Sequence, residues 1–114
     1  MGDGDGWDEV TNSRAKGKRG ELEAVHWLRD HGVQARRGQQ RKGGPDSPDV
    51  ITDLDGIHIE VKRCERLNPY TALAQARRDA GNLDTPVVLH RRNHQNWIVI
   101  MDAEHWLGMA RGTI

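Results

Sequence analysis

Apolar residues recur along this chain with two periods, one typical of helices and one typical of strands. Leu22, Val25 and Leu28 follow one another at three-residue spacing before Gly32, a pattern that predicts a helix and its end. Between Asp49 and Lys62 polar and apolar residues alternate instead, as they do in β-strands. Over the whole chain the two periods predict helices at about 18–31, 68–82 and from 102, and strands at about 33–37, 49–54, 57–62, 86–91 and 97–101.

The predicted element order, α-β-β-β-α-β-β-α, indicates an α/β protein with a mixed sheet flanked by helices. Asn68-Pro69 is expected to cap the second helix and Asp102 the last one, while Trp97 and Trp106 are expected in the core or in a dimer interface. A chain of 114 residues fits one domain. Because residues 1–14 are rich in glycine and acids, we expect a disordered leader there and one folded domain over 15–114.

The compartment is predicted from what the sequence lacks. No apolar run approaches the roughly 18 residues needed to span a bilayer, and the N-terminus has no signal-peptide core. Cys64 is the only cysteine, so it has no partner within the chain for a disulfide. We therefore expect a cytoplasmic protein, cellular or phage-encoded, that does not bind membranes.

A formal net charge of zero conceals a separation of charges along the chain. There are 17 basic and 17 acidic residues, but four of the acids lie among the first nine positions. From Arg14 to Lys42 there are nine basic residues and only three acidic ones. Such a stretch suits binding of nucleic acid phosphates, and a merely solubilising surface would have the same composition. Residues 38–48, GQQRKGGPDSP, predict a basic loop able to close on a nucleic acid backbone.

Segment 49–62 carries the clearest candidate chemistry. If Asp55-Gly56 is a two-residue turn, the flanking strands pair as a hairpin with Asp49 opposite Lys62. Alternation then gives one nearly apolar face, made of Val50, Thr52, Leu54, Ile57, Ile59 and Val61. Asp49, Glu60 and Lys62 share the other face, where opposed Cβ atoms are about 5 Å apart and diagonal ones about 7–8 Å apart. His58 lies on the same face, where it could touch substrate, although a histidine merely exposed near the hairpin tip is the commoner case and the expected one.

Two carboxylates at that separation suit a shared divalent cation. Mg²⁺ prefers oxygen ligands and keeps several waters, so Asp49, Glu60 and the main-chain carbonyl of Val61 are a sufficient set, and Mn²⁺ is expected to substitute. The same side chains would also form a surface salt bridge, which is worth only about 0–1 kcal/mol. Three features favour a site: Pro48 before Asp49, the apolar opposite face, and Glu21 on the upstream helix.

These residues resemble a known family. Pro48-Asp49, followed after ten residues by Glu60-Val61-Lys62, resembles the motif of PD-(D/E)XK nucleases. Lys16-Gly17-Lys18-Arg19-Gly20-Glu21-Leu22-Glu23 and the amphipathic helix after it look like the first helix of archaeal-type (Hjc-like) Holliday junction resolvases. The strands predicted at 86–90 and 97–100 are similar to the C-terminal half of those enzymes, so the resemblance extends over about 16–107.

The resemblance implies a restriction-endonuclease-like core, a homodimer, and Mg²⁺-dependent cleavage of four-way DNA junctions that leaves 5′-phosphate ends. Asp49 and Glu60 match the metal-binding carboxylates, Lys62 the catalytic lysine, and Glu21 the helical acid that completes the site, where it could also help to hold a second ion. Gln75 resembles a glutamine of several nuclease branches. The expected DNA-backbone contacts are Lys16, Lys18, Arg19, Arg36, Arg37, Arg41, Lys42 and Ser47. The family often carries a serine in the basic loop, and only Ser47 is available for that role here.

Other functions fit the same residues. A nicking, repair or restriction-type nuclease of the same superfamily would use the same site, and a non-catalytic DNA-binding module would use the basic surface alone. Acids beside a phosphate-binding surface repel DNA, so a pure binder has no use for them. The histidines do not predict a zinc site, because His26 and His31 lie five residues apart and no cysteine pair accompanies them.

Overall fold

The computed structural model describes the backbone of residues 6–38 and 48–112 and the side chains of 15–38 and 48–112. The elements follow the predicted order. They are α1 (Gly6–Asp30), β1 (Ala35–Arg37), β2 (Val50–Thr52), β3 (Ile57–Arg63), α2 (Pro69–Ala80), β4 (Thr85–Arg91), β5 (Ile98–Ile100) and α3 (Ala103–Arg111).

The first helix begins earlier than the sequence pattern predicts, at Gly6 instead of near Lys18. The apolar stripe that guides the prediction starts only at Leu22, but no proline interrupts the preceding residues, so the backbone can continue its hydrogen bonds. The helix therefore includes most of the segment expected to be a disordered leader. The division of the chain at residue 14 stays a prediction.

The strands form one mixed sheet in the order β1-β2-β3-β4-β5. The pairs β1–β2, β2–β3 and β4–β5 are antiparallel, whereas β3 and β4 are parallel. A parallel pair needs a crossover connection, and α2 supplies it. The predicted fold class, α/β with a mixed sheet flanked by helices, is confirmed.

Both faces of the central strand β3 are covered by a helix. On one face α1 packs over a larger core formed by Ala24, Val25, Leu28, Ala35, Val50, Ile59, Val61 and Leu89. On the other face α2 packs over a smaller core formed by Ala72, Ala76 and Val88. The small alanines bring α2 close to the face that carries the candidate polar residues. That face is therefore more enclosed than an isolated hairpin would suggest.

The last helix is held by an ion pair and not by a buried apolar face. Asp102 occupies the N-cap position, but its carboxylate makes no capping hydrogen bond. It accepts instead from Arg77 of α2, with 3.0 Å between Nε and Oδ2. No residue of α3 is buried, and Trp106 is exposed, so the core role considered for Trp106 is wrong. Trp97 is half-buried against the larger core, as expected.

Gly20 allows α1 to approach the end of β3. A Cβ atom built on Gly20 would lie 2.6 Å from Cβ of Arg63, closer than side chains pack. Gly17, one turn earlier on the same helix, has nothing within 4 Å of its own Cβ position. The two glycines of the KG-KRG segment therefore differ: only Gly20 is required by the packing.

Gly20→Ala is expected to destabilise the protein by roughly 1–3 kcal/mol, because the added methyl group must push the helix from the strand. Gly17→Ala is the matched control, and it should raise the free energy of unfolding by up to about 1 kcal/mol, since alanine is the better helix former. Urea unfolding of the two variants measures both values. An equal increase in the free energy of unfolding in both variants would contradict the close approach at Gly20.

Candidate active site

The β2–β3 hairpin has a different register from the predicted one. Val50 pairs with Ile59 instead of Val61, and the Asp49 amide donates to the Ile59 carbonyl at 3.0 Å. The connection has four residues, 53–56, in place of the two-residue turn. Because the shift is by two positions, the paired residues Val50 and Ile59 keep their predicted faces.

The longer connection follows from contacts with β1. Asp53 exchanges hydrogen bonds with Gln34: its amide donates to the Gln34 carbonyl at 3.1 Å, and its Oδ1 accepts from the Gln34 amide at 3.2 Å. The Thr52 hydroxyl accepts from the Leu54 amide at 3.1 Å, and Gly56 takes a positive φ of 75°. Residues 53 and 54 are thus used by the loop and cannot extend the ladder. Leu54, predicted to be in the core, is exposed.

Asp49 is fixed from two sides. Its Oδ2 accepts a hydrogen bond from the Val61 amide at 2.8 Å, and its main-chain carbonyl accepts from the Gly38 amide at 2.9 Å. A Cβ on Gly38 would meet the Pro48 carbonyl oxygen at 2.1 Å, so only glycine permits this approach. In a strand the N–H and C=O of one residue point to the same neighbour, so the Val61 carbonyl also faces the β2 side, where Asp49 lies.

Glu60 lies buried beneath α2, with 5% of its surface exposed. The imidazole Nε2 of His58 is 3.0 Å from its Oε2. Burial raises the pKa of the Glu60 carboxyl, the hydrogen bond with His58 opposes that rise, and the negative charge of Asp49 adds to it. The expectation that His58 is exposed near the hairpin tip is wrong: it is 3% exposed, because α2 covers this face of β3 and β4 pairs alongside it.

Lys62 meets the second helix. Its Nζ donates to Oε1 of Gln75 at 3.2 Å, and both side chains are half-buried. The start of α2 is set by Asn68, whose Oδ1 accepts from the amides of Tyr70 and Thr71 as the sequence predicts for an N-cap. Gln75, a candidate that rested on the resemblance alone, is therefore in contact with the candidate lysine.

Glu21 approaches the same region from α1. It is 9% exposed, and its Oε1 accepts from Nε of Arg37 at 2.8 Å. Burial raises the pKa of Glu21, the bond with Arg37 lowers it, and Asp49 raises it further. Because the charge of Asp49 acts on both Glu21 and Glu60, acids from three different elements share one electrostatic environment. Arg37, expected to contact the DNA backbone, has an acid of this site as its partner.

The donor atoms fit Mg²⁺ by their chemistry. Carboxylate oxygens of Asp49 and Glu60 and the Val61 carbonyl are hard ligands, and Mg²⁺ keeps several of its waters when so few protein ligands are present. No group of three His, Cys, Asp or Glu side chains within the described residues could hold a metal ion by itself. A third acid would have to come from Glu21, which Arg37 engages.

The described cations among the predicted DNA contacts lie on α1 and β1. Lys16, Lys18 and Arg19 are exposed on α1 and Arg36 on β1, without an ion pair to any described residue. Lys16 and Arg19 border a groove of about 570 Å³, which is lined also by Gly20, Glu23, Arg63, Cys64, Glu65 and Asn93. The other predicted DNA contacts, Arg41, Lys42 and Ser47, lie outside the described residues.

One ionic network was not predicted. The carboxylate of Glu23 on α1 binds Nε of Arg63 at 2.6 Å and also binds Arg91. Arg63 further donates to Oδ1 of Asn93 at 3.0 Å. The network joins the helix to β3 and β4 one residue beyond Lys62. Its members are far apart in sequence, and no local spacing indicates them.

Comparisons with known proteins identify little. No family model and no curated protein matches the chain. Among solved structures, the Holliday junction resolvase Hjc of Archaeoglobus fulgidus is similar, with 17% identity over 73% of this chain and 73% of that chain, and a TM-score of 0.49. A likeness of this degree carries no argument about activity. Within the described residues, no helix has the length and apolarity to cross a membrane.

Glu60→Gln is expected to stabilise the protein near pH 7 in the absence of metal. Burial raises the pKa of Glu60 in the folded state above the ordinary value of 4.5. In the pH window between the ordinary pKa and the raised one, the native state therefore holds more protons than the unfolded state. Wild-type stability therefore falls as the pH rises through the window. Glutamine has no proton to lose and still offers His58 an acceptor.

Thermal unfolding at pH 4 and pH 7 checks this expectation. The stability of Glu60→Gln relative to the wild type should be greater at pH 7 than at pH 4. The control Glu104→Gln, at an exposed position of α3, should change stability by less than about 0.5 kcal/mol at both pH values. A variant that loses stability relative to the wild type as the pH rises would contradict the assignment.

Proposed function

We propose that this protein is a Mg²⁺-dependent, structure-selective DNA endonuclease that resolves four-way junctions by paired phosphodiester hydrolysis in the cytoplasm. The observation that carries the proposal is that the charge of Asp49 acts on the buried carboxyl of Glu60, which lies two residues before Lys62 on β3. Burying an acid beside another acid is costly for a fold, and the raised pKa of Glu60 is typical of a functional site. The resemblance to the PD-(D/E)XK motif, and to the restriction-endonuclease-like core it implies, supports the same function.

Hydrolysis of a phosphodiester needs a nucleophilic water, neutralised charge at phosphorus and a stabilised 3′-oxygen leaving group. When bound, Mg²⁺ supplies positive charge to the phosphate and lowers the pKa of water. Asp49, Glu60 and the Val61 carbonyl would hold it. The ammonium of Lys62 orients the attacking water and stabilises the charge that develops on the phosphate, and Gln75 directs that ammonium through its Oε1.

Glu21 has a second role in this proposal. Its carboxylate binds Arg37 in the absence of metal, and the charge of Asp49 disfavours a further negative charge nearby. A divalent cation at Asp49 would reverse that effect, because a positive charge favours ionised acids around it. Glu21 would then complete the ligand set or help to hold a second ion, while Arg37 becomes free for a phosphate.

The exposed cations define the DNA surface. Lys16, Lys18, Arg19 and Arg36 contact backbone phosphates, which position a duplex without reading its bases. Arg41, Lys42 and Ser47, between Gly38 and Pro48 in the sequence, are proposed as further contacts to backbone phosphates. Such contacts suit recognition of junction shape. A homodimer with two-fold symmetry would place two active sites on the two strands to be cut.

Gel assays with a four-way junction, linear duplex, flap and single strand, each with Mg²⁺ or EDTA, test the proposal. Paired symmetric nicks near the branch point, seen only with Mg²⁺, are expected. Equal cleavage of linear duplex would favour a nicking, repair or restriction-type nuclease. Absence of cleavage, together with no carboxylate-dependent Mn²⁺ binding in isothermal titration, would favour a non-catalytic DNA-binding module.

A further inference from the structure

His58 and Glu60 form a buried polar pair on the face of β3 covered by α2. They are two residues apart on one strand, so both side chains project from the same face. Nε2 of His58 lies 3.0 Å from Oε2 of Glu60, and the two side chains are almost fully enclosed. Val88, the β4 neighbour of Glu60 in the sheet, packs on this face with the buried Ala72 and Ala76 of α2, so the surroundings of the pair include apolar residues.

The pair restricts Glu60 to one orientation. A glutamate side chain has several rotamers, and a metal ligand must hold one of them. The bond to His58 occupies Oε2, whereas Oε1 accepts no hydrogen bond from any described residue. One carboxylate oxygen is thus anchored inside the protein, and the other is left for a further partner.

We propose that His58 is a positioning residue that anchors Oε2 of Glu60 and so presents Oε1 to the divalent cation. The inference rests on the proposed function and deepens it. With Glu60 ionised, the hydrogen bond needs a proton on His58 Nε2, and the neutral tautomer with Nε2–H already supplies it. Carboxylate ligands of metals are commonly held by such partners, whose loss costs about 10- to 100-fold in metal affinity or activity.

The electrostatic surroundings give His58 a second effect on Glu60. Asp49 on β2 and Asp79 on α2 both disfavour a negative charge on Glu60, as does burial. The hydrogen bond from His58 acts in the opposite direction. Removal of His58 therefore takes away the hydrogen bond that orients Glu60 and leaves its carboxyl among unfavourable neighbours.

Three variants separate positioning from simple packing. His58→Leu fills the space without a donor, His58→Gln places an amide nitrogen near the position of Nε2, and His58→Asn is polar but one methylene too short to reach Oε2. Isothermal titration with Mn²⁺ should give a dissociation constant about 10- to 100-fold weaker for the Leu and Asn variants and close to wild type for the Gln variant. The half-saturating Mg²⁺ concentration for junction cleavage should move in parallel.

The outcomes distinguish the inference from the proposed function. Wild-type protein that binds Mn²⁺, with unchanged affinity in the Leu and Asn variants, would overturn the role of His58 alone. Wild-type protein with no Mn²⁺ binding would overturn the proposed function itself. Thermal unfolding shows whether each variant folds. If the Leu variant fails to fold, the comparison of the Gln and Asn variants, which differ by one methylene, still tests whether His58 positions Glu60.

Discussion

Asp49→Asn is expected to reduce Mg²⁺-dependent junction cleavage by about three orders of magnitude, the scale seen when one electrostatic group of a transition state is lost. The substitution is close to isosteric. Asparagine Oδ1 can still accept the Val61 amide, which Oδ2 of Asp49 accepts at 2.8 Å, so the hairpin should keep its geometry. What disappears is the negative charge that would hold the cation. Binding of the junction in EDTA should therefore be retained or slightly strengthened.

Asp53→Asn is the matched control for this experiment. Asp53 lies on the same hairpin, is exposed, and makes its hydrogen bonds to Gln34, away from the candidate site. This variant should cleave at the wild-type rate. Purified Asp49→Asn protein that cleaves as fast as Asp53→Asn protein would remove Asp49 from the mechanism, and the candidate site with it.

Much of the fold could be predicted because its signals are local. The apolar spacing in α1 identifies Val25 and Leu28 as buried residues, although Leu22, the first of the series, is exposed. Asn68 caps α2 through bonds to the next two amides. Each signal lies within a few residues of the element it defines. The order of all eight elements follows from such signals.

The register of the hairpin could not be predicted, because it depends on a distant partner. Gln34 of the β1 region binds Asp53, nineteen positions further along the chain, and so prevents the short turn that Asp55-Gly56 suggests. The assignment of faces nevertheless survives, since a two-residue shift leaves the alternation unchanged. Glu60 and Lys62 therefore share a face of β3 for the predicted reason, and Asp49 lies near enough to Glu60 for its charge to act on it.

The burial of the candidate site by α2 could not be predicted from the sequence either. His58 is buried only because α2 crosses that face of β3 on its way to the parallel strand β4. The contact of Gln75 with Lys62 depends on the same crossing. In an isolated hairpin this face would be open to solvent. The spacing of apolar residues within α2 does not indicate which face of the sheet the helix covers.

Lys62→Met is expected to lower the rate of cleavage at saturating DNA and Mg²⁺ by about 10²- to 10³-fold. Methionine keeps an apolar stem against α2 and removes the ammonium that Gln75 holds at 3.2 Å. Since Lys62 is assigned to the reacting phosphate and not to the cation, the half-saturating Mg²⁺ concentration should stay near the wild-type value. Gln75→Leu leaves the charge of Lys62 in place but removes the hydrogen bond that orients its ammonium. The cleavage rate should therefore fall by only about tenfold, which is equivalent to one hydrogen bond to a charged group.

Single-turnover rates measured across a Mg²⁺ titration separate these effects. Arg78→Met provides the control, because it removes an exposed cation from the same helix and should leave the rate unchanged. The pattern to be expected is a lower plateau for Lys62→Met at an unchanged midpoint, opposite to the shifted midpoint that follows from loss of a metal ligand. A shifted midpoint with a normal plateau would mean that Lys62 organises the acids and does not act on the phosphate.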